Sequence, residues 1–89
     1  MSIKDKLMED LKTAMKEKNA VRKNAVQMIR AGILQVEKDN QTELDDDGII
    51  EVIAKQLKQR KDSLEEFVKA QRDDLIEQAK IEIEVLESY

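Results

Sequence analysis

Apolar side chains recur every three or four residues along most of the chain from Ile3 to Leu86, with a polar break at Asp39–Leu44, and no proline interrupts them. That spacing lines them up on one stripe of an α-helix. Only two glycines, Gly32 and Gly48, favour a break by themselves. The bulk of the chain is Ala, Glu, Lys, Leu, Ile, Gln and Arg, all good helix formers, and aromatic residues are 2%. Charged residues reach 40%, a level at which disorder competes. Helical spacing and mixed charge signs decide for folding. At 89 residues the chain is one domain, 1–89. A chain of this size buries roughly 60–65% of its unfolded surface, which gives a thin core without an enclosed pocket. The expected fold is all-α, a small four-helix bundle of antiparallel helical hairpins.

Four segments carry the pattern. The first, 3–18, has Ser2 as cap and Ile3, Leu7, Leu11, Ala14 and Met15 on one stripe. The second, 20–38, follows Asn19 and buries Val21, Ala25, Met28, Ile29, Gly32, Ile33 and Val36. Gly32 costs about 1 kcal/mol against alanine there, so it predicts close approach of a neighbouring helix. The third, 46–70, sets Ile50, Leu57 and Leu64 in one row and Ile53, Arg60 and Phe67 in its pair. That register then meets Gln71 and Asp74. A shifted one restores it with Ile76, Ala79, Ile83 and Leu86, so the chain turns near Gln71–Asp74 and a fourth helix runs over 73–88. Asp73 or Asp74 is its expected cap. The competing arrangement is one unbroken helix from Asp46 to Tyr89, about 65 Å long, which needs a second copy to cover its stripe.

Chemistry is excluded more readily than assigned. Histidine and cysteine are absent. That removes Ser-His and Cys-His catalysis, disulfides, zinc knuckles and iron–sulfur clusters. The hydroxyls Ser2, Thr13, Thr42, Ser63 and Ser88 have no imidazole base, and no glycine-rich phosphate loop is present. Asp45-Asp46-Asp47-Gly48 is the one metal-like cluster, but the calcium-loop position that needs a bidentate glutamate is Ala54. Asp45 reads better as a helix cap, with Asp46 and Asp47 at the positive end of the dipole. No catalytic residue, cofactor or metal is expected. The N-terminus lacks the apolar stretch of a secretory signal, and a cytoplasmic location is expected.

Net charge is −4, unevenly spread. Up to Arg30 there are eight basic and four acidic residues; beyond it there are eight basic and sixteen acidic. Lys55, Lys58 and Lys61, at i, i+3 and i+6, make a short basic strip for phosphate contacts. Asp62, Glu65 and Glu66 interrupt it. Arg60 stands in an apolar row, where a charge must find a partner. A hairpin turning near residue 72 sets it opposite Glu82 or Glu84, and a salt bridge across the hairpin is expected.

Lys58-Gln59-Arg60-Lys61-Asp62-Ser63-Leu64-Glu65-Glu66-Phe67, then Ala70, Arg72, Asp74-Leu75 and Glu82 to Tyr89, resemble the N-terminal helical region of the GatB/YqeY family. Ile3, Leu7, Asp10, Ala14, Met15, Lys16, Arg22, Met28 and Ile29 extend the resemblance over essentially the whole chain. It implies a bacterial cytoplasmic protein with an all-helical N-terminal domain. It also implies a second, smaller helical domain after a Leu-Pro linker, similar to the tRNA-contacting tail of the amidotransferase B subunit. This chain stops at Tyr89, so the expectation is a piece or a shortened member without that domain. No catalytic residue carries over.

Three functions were weighed on these grounds. The first is a non-catalytic module that docks a partner protein through apolar surface left uncovered, such as Ile49, Val68 or Ile81, associated with the tRNA-dependent amidotransferase. The second is tRNA binding by Lys55, Lys58 and Lys61. The third, glutamine-dependent carbon–nitrogen ligation, follows from the family association and lacks a nucleophile–base pair in this chain. A membrane partner is not expected; a monomer and a homodimer both fit.

Overall fold

Free backbone amides at a helix start need an acceptor, and three of the four helices take one from the residue the sequence offers. The structure is a computed structural model and describes residues 2–89. Helix α1 spans Ile3–Lys16, with Ser2 Oγ accepting from the Asp5 amide at 3.2 Å. Helix α2 spans Ala20–Asn40, with Asn19 Oδ1 accepting from the Arg22 amide at 3.1 Å. Helix α3 spans Asp46–Lys69, with Asp45 Oδ1 accepting from the Gly48 amide at 2.9 Å. Helix α4 spans Asp73–Glu87 and differs from expectation. Its cap position is Arg72, with no side-chain bond, while Asp73 and Asp74 lie in the first turn. Asp74 instead pairs with the Arg72 guanidinium at 3.3 Å.

The three turns that follow helices α1, α2 and α3 are made without glycine. Lys18, Gln41 and Gln71 take φ of 57°, 53° and 55°. Each sits where a left-handed residue ends a helix by the Schellman pattern. Asn19 N donates to Ala14 O at 2.9 Å, Thr42 N to Glu37 O at 3.1 Å, and Arg72 N to Phe67 O at 3.1 Å. These bonds stop α1 two residues before the expected boundary and let α2 run two residues past it. At Gln71 they end α3 and reverse the chain.

The fold is therefore the expected all-α arrangement, four helices and no strand among the described residues. Two antiparallel hairpins, α1–α2 and α3–α4, pack through α2, which touches all three other helices. The buried cluster joins Leu7 and Leu11 of α1, Ala25, Val26, Ile29 and Ile33 of α2, Ile49 and Ile53 of α3, and Val85 and Leu86 of α4. No residue from 54 to 78 is buried, and beyond Leu57 and Gln56, which still reach the core and α2, the hairpin holds no core residue until Ala79.

The core corrects the sequence in detail. At the start of α3 the buried residue is Ile49, 1% exposed, while Ile50 is 48% exposed. The neighbours fix this: Asp46 Oδ1 accepts from the Ile3 amide at 3.2 Å, which draws the start of α3 against α1 on the Ile49 side. Ile49 is thus core, not docking surface, and Ile81 is half-buried against the core. Met15, expected on the buried stripe, lies 55% exposed. Val26 and Val85 are buried although neither belonged to the expected stripe.

Gly32 does mark a close approach, and the visitor is a polar side chain. Gln56 of α3 crosses to α2 and its Nε2 donates to Met28 O at 3.1 Å. A Cβ at residue 32 would stand 2.3 Å from Gln56 Nε2 and 3.2 Å from Val52 Cγ1. Gly32→Ala gains about 1 kcal/mol of helix propensity and gives up a hydrogen bond of similar worth. Combined with Gln56→Ala the propensity gain is expressed. Urea unfolding of the two single variants and the double is expected to show coupling of about 1 kcal/mol, and strict additivity would contradict the contact.

A second expectation concerns the turns. A side chain in the left-handed region costs about 1–2 kcal/mol. Gln71→Gly is expected to raise stability by about 1 kcal/mol, while Gln71→Val lowers it. A glycine variant no more stable than the parent would contradict the turn geometry.

Candidate functional site

Stepping one residue along a helix turns a side chain through about 100°. Met8 follows buried Leu7, and Leu34 follows buried Ile33, so each steps off the core stripe. Both steps lead to the same place. An open groove of about 350 Å³ runs between α1 and α2, lined by Met8, Arg30, Ile33, Leu34 and the Lys4–Glu37 pair. Met8 is 42% and Leu34 63% exposed there. Sequence reasoning missed both. Their signal was that they are large apolar residues beside the stripe, which a single-stripe reading leaves unassigned.

One end of the groove is closed by charge. Lys4 Nζ donates to Glu37 Oε2 at 2.6 Å, and the Leu44 amide donates to the same oxygen at 2.8 Å. The Lys4 hydrogen bond and then the Leu44 amide hold the Glu37 carboxyl below its ordinary value. The same hydrogen bond pushes the Lys4 ammonium up. Toward the other end of α1 a second, separate depression is lined by Met15, Lys18 and Lys23. Lys12 and Lys16 of α1 are exposed along the way.

The far side of α1 is occupied. The Tyr89 hydroxyl donates to Asp10 Oδ2, Lys6 Nζ lies 5.2 Å above the tyrosine ring, and Lys6 Nζ also donates to Ser88 O at 3.4 Å. Burial, and then the Asp10 carboxylate, push the Tyr89 phenol above its ordinary value. Asp10 is two residues from Met8, so this clasp leaves the groove open.

The residues singled out from the sequence fall elsewhere. Lys55, Lys58 and Lys61 are all exposed on α3. Lys61 Nζ reaches Glu87 Oε2 at 3.9 Å, a weak pair across the hairpin. Arg60 makes no ion pair with Glu82 or Glu84 among the described residues; its Nε is buried without a hydrogen-bond partner. Arg60 is half-buried, and the ion pair across the hairpin among the described residues is made by its neighbour Lys61 with Glu87. Of the three apolar docking candidates only Val68 is exposed. Asp45 and Asp46 are engaged at helix starts, and no cluster of three metal-ligating side chains occurs among the described residues. No described helix is long and apolar enough to cross a membrane.

Comparison with known proteins places the chain. The sequence model of the family described as "Yqey-like protein" matches residues 4–89. Relatives named "Altered inheritance of mitochondria protein 41, mitochondrial" include that of Kluyveromyces lactis, 42% identical over 84 residues, covering 93% of this chain and 45% of the relative. That of Lachancea thermotolerans is 40% identical, with coverage of 93% and 45%. That of Pyrenophora tritici-repentis is 36% identical, with coverage of 94% and 46%. The chain spans about half the length of these curated relatives. They correct the expectation of a bacterial, cytoplasmic protein, since these relatives are fungal and named mitochondrial.

Because Glu37 is held low in the folded chain, the unfolded chain takes up a proton first as pH falls. Stability from this group is complete above about pH 4.3, the ordinary glutamate value, and is lost as pH drops through the lowered one. Urea midpoints measured from pH 7 to pH 3 are expected to fall more steeply for the parent than for Glu37→Gln. Parallel curves would contradict the role given to this carboxylate.

Proposed function

The chain belongs to the YqeY-like family, and from that premise we propose that it is a non-catalytic helical module that docks a partner protein in the groove between α1 and α2. The observation that carries this reading is the pairing of Met8 with Leu34 in one open groove. Apolar residues exposed singly, such as Ile50 and Val68, are ordinary, whereas adjacent ones that line a concave surface mark an interaction site. With no histidine or cysteine, the chain supplies neither an imidazole base nor a thiol for glutamine hydrolysis. Its part is therefore in assembly. Following the GatB/YqeY resemblance, we place the partner in the machinery of tRNA-dependent amidation, the glutamine-dependent carbon–nitrogen ligation of that family.

A second reading has one observation in its favour. Lys55 and Lys58 are exposed and take part in none of the ion pairs among the described residues, so they offer a weak site for a nucleic-acid backbone. No aromatic side chain lies between them for base stacking.

Tagged parent chain, Met8→Asp/Leu34→Asp and Lys55→Glu/Lys58→Glu are compared as baits in cell extract, with and without ribonuclease, after circular dichroism shows each to be folded. A protein retained despite ribonuclease and lost only from the groove variant is expected. Bulk tRNA retained at low salt and lost only from the lysine variant would transfer the function to the second reading. Equal retention by all three baits would remove both.

A further inference from the structure

Resting on that docking reading, we infer that the occupant of the groove is an acidic amphipathic helix of a partner protein. Shape is the first ground. A furrow between two antiparallel helices accepts a third helix along it, with apolar anchors every three or four residues. Met8 and Leu34 meet one stretch of such a helix. Met15, two turns and about 10 Å further along α1, meets the next. Two of these three contacts are methionines, whose unbranched side chains adapt to an incoming surface.

Charge is the second ground, and it decides the sign of the partner. Arg30 lines the groove, Lys18 and Lys23 flank Met15, and Lys12 and Lys16 are exposed on α1 one and two turns beyond Met8. Against them stand exposed Asp5 and Glu9, and half-buried Glu37, which is already paired with Lys4, so the border stays net positive. The whole chain is −4, so this positive border is a local feature and not a consequence of composition. It attracts carboxylates flanking an apolar edge and repels a basic helix. A phosphate backbone would satisfy the lysines but leave Met8, Leu34 and Met15 facing a polar strand, which favours protein over nucleic acid.

The test uses two synthetic helices of about 18 residues, long enough to hold helical structure. They share one leucine edge; their remaining positions are Glu and Gln in one, Lys and Gln in the other. Each carries a fluorophore, and anisotropy is read at low salt against the 89-residue chain, Leu34→Asp and Lys16→Glu/Lys23→Glu. The acidic helix is expected to bind the parent at least about tenfold more tightly than the basic one. Leu34→Asp is expected to weaken that binding about tenfold or more, and Lys16→Glu/Lys23→Glu to narrow the preference between the helices. Binding that depends on Leu34 but shows no preference for the acidic helix overturns this inference and leaves the docking groove standing. Binding untouched by Leu34→Asp, or no binding by either helix, overturns both. Displacement of the acidic helix by bulk tRNA that itself depends on Leu34 gives the surface to nucleic acid and overturns the inference.

Discussion

This chain, which has no proline, makes each of its three turns at a residue with a left-handed backbone, and acceptance of that backbone at Gln71 decides the form of the molecule. The cost is about 1–2 kcal/mol for a side chain in that region. The return is larger. Because the chain turns there, α4 comes back along α3 and reaches α2, where Val85 and Leu86 are each 1% exposed. Burying one such side chain is worth about 1.5–3 kcal/mol. The Schellman bonds from Gln71 N to Val68 O and Arg72 N to Phe67 O satisfy carbonyls that a frayed helix would leave to water. Lys18 and Gln41 do the same at the other two turns, so all three corners are held by backbone bonds and not by special residues.

That choice explains what was legible in the sequence. Ser2, Asn19 and Asp45 announced three helix starts because a short polar side chain before an apolar stripe has one common use. The reversal after residue 70 was readable as a change of register between Phe67 and Ile76. Its mechanism was not, since a glutamine carries no mark of a positive φ. The start of α4 was harder. Arg72 caps it without a side-chain bond, and Asp73 and Asp74 favour the helix start only through the dipole.

Misreadings of the core share one cause. A stripe drawn from one helix assumes that its neighbours lie squarely opposite. In α3 the neighbour at the start is α1, tied through Asp46 to Ile3, and this rotates burial from Ile50 to Ile49. Arg60 does not make its expected pair, and the carboxylate that reaches back across the hairpin is Glu87, to Lys61. Met8 and Leu34 were passed over because the sequence shows which residues are apolar but not which gap between helices stays open. The gap lies at the rim of the α1–α2 contact: α1 is tied on its other side, by Tyr89 to Asp10, and α2 divides its buried face among all three other helices. The interaction surface is thus a remainder of the packing. Its shape depends on where α4 ends up, and so on the corner at Gln71.

One distance tests this most directly. Spin labels at Lys61→Cys and Glu87→Cys report by electron resonance whether the two positions lie near each other across the hairpin, as side chains that reach to 3.9 Å require. Labels in near contact are the predicted result. A separation of about 39 Å, the length of an unbroken helix between the two positions, would show a straight rod in place of the corner and contradict the account.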